Sequence, residues 1–207
     1  MRKLDVFAAI NAALFVVLCV FRYHDRFVAL RGAGHMEEFF VYAGVILAAI
    51  VVLWWRFRDW GFDGSLLALV QLGILMHFAG AFVPVDGRRL YDAHLMGIRY
   101  DKYVHVVNAF AVTALVDRIF EIRRMPRTAL NAIMLVMVVL GLGALAEIVE
   151  YGVVLTVPNN GVGEYDNNMQ DLVANLSGSL LFLAVRLAFW RSESWRGGER
   201  NTGARQS

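Results

Sequence analysis

Six stretches of about 20 predominantly apolar residues run through this chain, near 5–21, 37–55, 65–84, 101–120, 129–152 and 169–190. An α-helix rises about 1.5 Å per residue, so each stretch matches the roughly 30 Å hydrocarbon core of a bilayer. None of them shows the short, alternating rhythm of a barrel strand. The expected fold class is therefore all-α: a polytopic membrane protein, a bundle of about six transmembrane helices. Composition agrees, since 58% of the 207 residues are hydrophobic and only 18% are charged, against about 45–50% apolar in soluble domains. The excess apolar surface needs lipid to face.

Short polar loops separate the stretches and no linker divides them. One transmembrane domain is expected over 1–191, followed by a polar, Gly-rich cytoplasmic tail over 192–207 that reads as disordered. The basic residues form no stripe interleaved with aromatics, so nucleic acid is not an expected partner; membrane lipids are. The single cysteine, Cys19, lies inside an apolar run, which excludes a disulfide framework. The basic start and first apolar run resemble a signal peptide. No small-x-small cleavage site follows, and Leu18 precedes Cys19 where a lipoprotein signal needs a small residue. A retained helix is expected.

With six spans, both ends of the chain fall on one side. That side carries twelve Lys and Arg, from Arg2, Lys3, Arg56 and Arg58 to the tail, against seven on the other. The positive-inside rule then places both termini in the cytoplasm. Trp54, Trp55, Trp60, Trp190 and Trp195 suit interfacial anchors on that face.

This topology puts His24, His35, His77, His94 and His105 on the outer side or in the outer half of the bundle, with eleven of the eighteen acids. Several sit within helices, where an ionisable group costs about 2.5–3.5 kcal/mol on insertion scales and is normally paired inside the bundle. Asp101 and His105 are four apart and Asn108 lies three further on, so they share a helical face. Glu147 and Glu150 are three apart near the outer end of the fifth helix. Asp171 and Asn175 are four apart at the outer start of the sixth, and Gly178 continues that face. Gly141, Gly143, Ser177, Gly178 and Ser179 offer small surfaces for close helix approach.

Three readings of these groups stand side by side. The first is a structural network of interhelical hydrogen bonds. The second is a divalent metal site (Zn, Mn or Fe), with His77, Asp101, His105, Glu147, Glu150 and Asp171 as the nitrogen and oxygen ligands. The third is acid–base chemistry or proton relay without metal, with Glu147 and Glu150 sharing a proton and Asp101 orienting His105 as a base. In that reading the catalytic set is His105, Asp101, Glu147, Glu150 and Asp171, with Asn108 and Asn175 supporting. Lys102 reads as a snorkelling side chain or the partner of an outer-loop acid, ahead of a role in binding phosphate. Arg88 and Arg89 read as solvated, and Asp117, Arg118 and Glu121 as an inner ion-pair cluster.

Tyr100-Asp101-Lys102-Tyr103-Val104-His105, Ala146-Glu147-Ile148-Val149-Glu150-Tyr151 and Asp171-Leu172-Val173-Ala174-Asn175-Leu176-Ser177-Gly178 resemble three signatures of the DUF2238 family of uncharacterised inner-membrane proteins, typified by YjdF. Met76-His77-Phe78-Ala79-Gly80 resembles a fourth segment. The likeness runs from about 37 to 190 and extends, more distantly, to VanZ-like proteins. It implies a multi-helix protein of a prokaryotic inner membrane. It supplies no activity, though the VanZ-like side is associated with glycopeptide resistance, which points by analogy to an envelope or lipid-linked substrate. One position departs: where family members often carry an Asp four residues before Asp171, this chain has Asn167, with Asp166 one step earlier. The expected function is an outer-leaflet Asp/His/Glu pocket that binds or acts on such a substrate. The competing class is a non-enzymatic transporter or structural membrane protein.

Overall fold

A computed structural model describes residues 2–156 and 165–203. Helix accounts for 84% of it, and six helices are long and apolar enough to cross a membrane. The first span, Lys3–Ala29, is α1 (Lys3–Leu18) continued through a π-turn at Cys19–Tyr23 into α2 (His24–Arg31). It runs well beyond the apolar stretch that ends near 21, and this carries Tyr23 and Arg26 over the end of the bundle. The others are α3 (Met36–Phe57), α4 (Gly64–Phe82), α5 (Tyr100–Ile122), α6 (Ala129–Thr156) and α7 (Tyr165–Gly203). Helix α7 extends into the polar segment expected to be a disordered tail; residues 204–207 lie outside the described residues.

Packing is inverted relative to a soluble protein. Phe21, Phe40, Trp55, Ile148 and Val149 are each more than 60% exposed, while the side chains of Thr113 and Ser179 are fully buried. In hydrocarbon the apolar groups face lipid and the polar ones must find each other inside. Thr113 donates to the Ser179 hydroxyl at 3.1 Å, and Ser179 to the Asn175 carbonyl at 3.0 Å. The first of these bonds joins α5 to α7, the most extensive helix pair. Beside them lies a small apolar core of Ala109, Val116, Leu135 and Val139. By contrast, α3 buries none of its apolar window.

The glycines expected to bring helices together divide. Gly178 faces α5, where an added Cβ would run into the Val106 carbonyl oxygen and meet Ala109 Cβ at 3.0 Å. Gly143 faces the Asn175 amide. Gly141 meets nothing within 4 Å, and Ser177 is exposed and bonds its own helix, so neither supports an interface.

The α4–α5 connection holds two tight hairpins, β1 (Pro84–Val85) with β2 (Arg88–Arg89) and β3 (His94–Leu95) with β4 (Ile98–Arg99). Both two-residue turns take positive φ at each position: Asp86 and Gly87, then Met96 and Gly97. That is the twist-matched turn of a two-residue hairpin, for which Asp-Gly is a strong signal. At the opposite end of the bundle, Glu121 takes Arg118 at 3.1 Å and also Arg127, and Asp117 pairs with Arg186. The expected inner cluster thus extends across to α7.

Candidate functional site

One end of the helix bundle and the first hairpin border an open cavity of about 600 Å³, lined by His77, Asp101, His105, Asn108, Glu147, Glu150, Asp171 and Asn175 among others. Every candidate site residue therefore lies on one cavity. They do not all meet.

Three converge. Asp101, His105 and Asp171 each offer a ligand atom, all within 4.8 Å of one another. His105 Nε2 is 3.2 Å from Asp171 Oδ1 and 3.6 Å from Asp101 Oδ1. The four-residue spacing on α5 stacks Asp101 over His105, and the α5–α7 contact brings in Asp171. His105 Nδ1 faces Asn175 Oδ1 at 3.3 Å. With the amide in this orientation, Asn175 accepts the Nδ1 proton and leaves the Nε2 lone pair aimed at two carboxylate oxygens. That arrangement is repulsive until a cation, either a proton or a metal ion, stands between them.

Lys102 is the residue whose role the sequence understated. It is 8% exposed and lies between Asp101 (7%) and Asp171 (2%). Its ammonium donates to Asp171 Oδ1 at 2.6 Å, Asp101 Oδ2 at 3.0 Å, and Asn167 Oδ1 and carbonyl at 2.9 and 3.2 Å. It does not snorkel to the interface. Asn167 gains a physical reason at the position where the resemblance leads one to expect Asp. Its Oδ1 accepts from Lys102 and from Arg99 (2.8 Å), while its Nδ2 donates to Asp171 Oδ2 at 2.8 Å. A carboxylate only accepts and could not make that last bond. Asp166 lines a separate cavity with His94 and Gln170.

The remaining expected ligands stand apart. Glu147 is 8% exposed, and its Oε2 is buried with no hydrogen-bond partner. Glu150 is exposed at the cavity edge. No hydrogen bond joins the two among the described residues, so a proton shared directly between them is not what the geometry provides. His77 lies outside the converging group, and its Nδ1 takes the Tyr91 hydroxyl at 2.5 Å. Asn108 packs on Gly73 of α4.

Tyr91, Arg99 and Arg26 were not picked out from sequence, and Arg89, expected to be solvated, is half-buried on the cavity wall. The ring of Tyr91 packs so closely on Gly80 that an added Cβ would lie 2.7–2.9 Å from it. That is why a glycine follows His77 by three residues. Burial, and then the negative charges of Asp101 and Glu150, push the Tyr91 phenol above its ordinary value near 10. The folded state thus keeps this proton where the unfolded chain loses it. Stability from Tyr91 is fully present below about pH 10 and declines as pH rises further. Tyr91→Phe should cost about 1 kcal/mol at neutral pH and flatten that alkaline decline, as read from thermal unfolding between pH 8 and 11.

Buried carboxylates and an imidazole beside an open cavity, in a chain that is apolar outside, define a membrane protein with a buried polar site. The chain belongs to the family described as predicted membrane protein (DUF2238), whose model matches residues 4–192. No curated protein and no solved structure matches it.

Proposed function

We propose that this protein is an inner-membrane protein of a prokaryote, with both termini in the cytoplasm, whose outer-leaflet pocket holds a divalent metal ion and acts on the polar head of a membrane-resident, envelope-type substrate. The observation that carries this reading is the convergence of Asp101, His105 and Asp171 on the cavity wall. Ligands about 2.1 Å from a first-row ion lie roughly 3.0–3.4 Å from each other in octahedral and tetrahedral shells. The His105 to Asp171 and Asp101 distances of 3.2 and 3.6 Å are near that range. Asn175 supports it by holding the tautomer that ligation needs. One imidazole with two carboxylates suits Zn, Mn or Fe. Such an ion would polarise a bound oxygen or activate water. Glu147, with its unpartnered oxygen on the same cavity, is the group placed to take a proton there.

One observation favours the second reading. Lys102 donates to both Asp101 and Asp171 and ties them together without any ion, which would make the cluster interhelical glue or a proton relay. Titration of detergent-solubilised protein with Mn²⁺ and Zn²⁺ separates the two. The metal reading expects one saturable site, weakened more than about 100-fold in His105→Ala and about 10–100-fold in Asn175→Leu. A protein that binds neither ion, or binds them equally well without His105, has the structural network instead.

A further inference from the structure

The cavity has two unlike ends. At its outer rim are three guanidiniums from three separate elements, Arg26 of α2, Arg89 of β2 and Arg99 before α5, with the hydroxyl of Tyr91. At its inner end the lining is apolar: Val112, Val139 and Leu142. Arg99 and Val112 are thirteen residues apart, nearly all of it along α5, so the two ends lie about 20 Å apart along the helix axis. The Asp101–His105–Asp171 group sits between them.

The rim guanidiniums differ in how far carboxylates already satisfy them. Arg89 and Arg99 both bind Asp92, at 3.0 and 3.3 Å. Arg26 is half-buried on the cavity, yet among the described residues no hydrogen bond or carboxylate engages it. A half-buried guanidinium with no carboxylate beside it is free to take an anion, and its planar fork matches phosphate oxygens. A neutral head would leave it unsatisfied. A free phosphate would satisfy it but leave the apolar end empty.

We infer that the pocket selects an amphiphile with a phosphate head, seating the phosphate against Arg26, Arg89 and Arg99 and the first carbons of its chain against Val112, Val139 and Leu142. This names a substrate class for the pocket proposed above and rests on that pocket being a binding site; it does not require the metal.

The test is equilibrium binding to the full-length protein in mild detergent with EDTA present, so that metal plays no part. The probes are dioctanoyl phosphatidic acid, dioctanoylglycerol and inorganic phosphate. Phosphatidic acid should bind at least ~10-fold tighter than either of the others. Arg26→Gln should remove most of that preference and leave dioctanoylglycerol unchanged. Equal binding of phosphatidic acid and dioctanoylglycerol by the wild-type protein overturns the inference without recourse to any variant. Inorganic phosphate binding as tightly as phosphatidic acid overturns the amphiphile, and an unaltered preference in Arg26→Gln overturns the rim. Failure of the metal reading would leave these ratios as they are.

Discussion

Lys102→Met should be among the most damaging single substitutions outside the apolar packing. The methionine keeps the length of the side chain and removes only the charge. Two carboxylates, Asp101 and Asp171, are then left buried and facing one another with no ammonium between them. Removing one partner of a buried ionic group costs about 3–5 kcal/mol, mostly because the other charge stays behind. The loss should appear as a large fall in the thermal transition followed by tryptophan fluorescence in detergent. Two companion measurements give it its meaning. Lys102→Met with Asp171→Asn should recover much of the loss, because the two changes act on one pair. Added Mn²⁺ or Zn²⁺ should also restore Lys102→Met in part, since an ion bound only by the folded state stabilises it by mass action. A loss below about 1 kcal/mol would mean that Lys102 is not what holds the carboxylates together.

Gly178→Val should do comparable harm by a different route. Helices α5 and α7 carry the converging group and its hydrogen-bond partners between them: Asp101, Lys102 and His105 on one, Asn167, Asp171 and Asn175 on the other. They approach closely because Gly178 has no Cβ to meet the Val106 carbonyl. Backbone cannot step aside as a flexible side chain can, so the helices must separate, at about 3 kcal/mol for forced overpacking. Separation also pulls Asp171 from His105. The variant should therefore lose stability and metal affinity together. Gly141→Val is the control. Nothing lies within 4 Å of a Cβ there, and a change within about 0.5 kcal/mol is expected. Equal effects at both positions would show that the α5–α7 approach is not set by Gly178.

Much of this was legible in the sequence because a bilayer imposes a simple rule. Runs of apolar residues long enough to cross it announce the spans, and ionisable residues inside those runs must be paired or functional. Spacing then placed Asp101 over His105 and aligned Asp171 with Asn175. Spacing within one helix cannot say which helices touch. The tie between Lys102 and Asp171 crosses two elements 69 positions apart, and no local pattern announces it. The same is true of His77, which shares the cavity but turns to Tyr91. Tyr91 itself had a usable signal, the Asp86-Gly87 turn that folds its loop back over Gly80. The first span was read too short because Arg22, His24, Asp25 and Arg26 look like a loop by hydropathy. They continue as helix past the apolar run, and so Arg26 reaches the rim.

In the proposed function Asp101, His105 and Asp171 hold a divalent ion. Elemental analysis of wild-type protein, purified from membranes in mild detergent without chelator, tests it most directly, with Asp171→Asn and His105→Ala prepared in parallel. About one Zn, Mn or Fe per folded wild-type chain, reduced to background in both variants although they remain folded, is the result predicted. Folded wild-type protein with no stoichiometric metal, or with metal that persists in both variants, would contradict it.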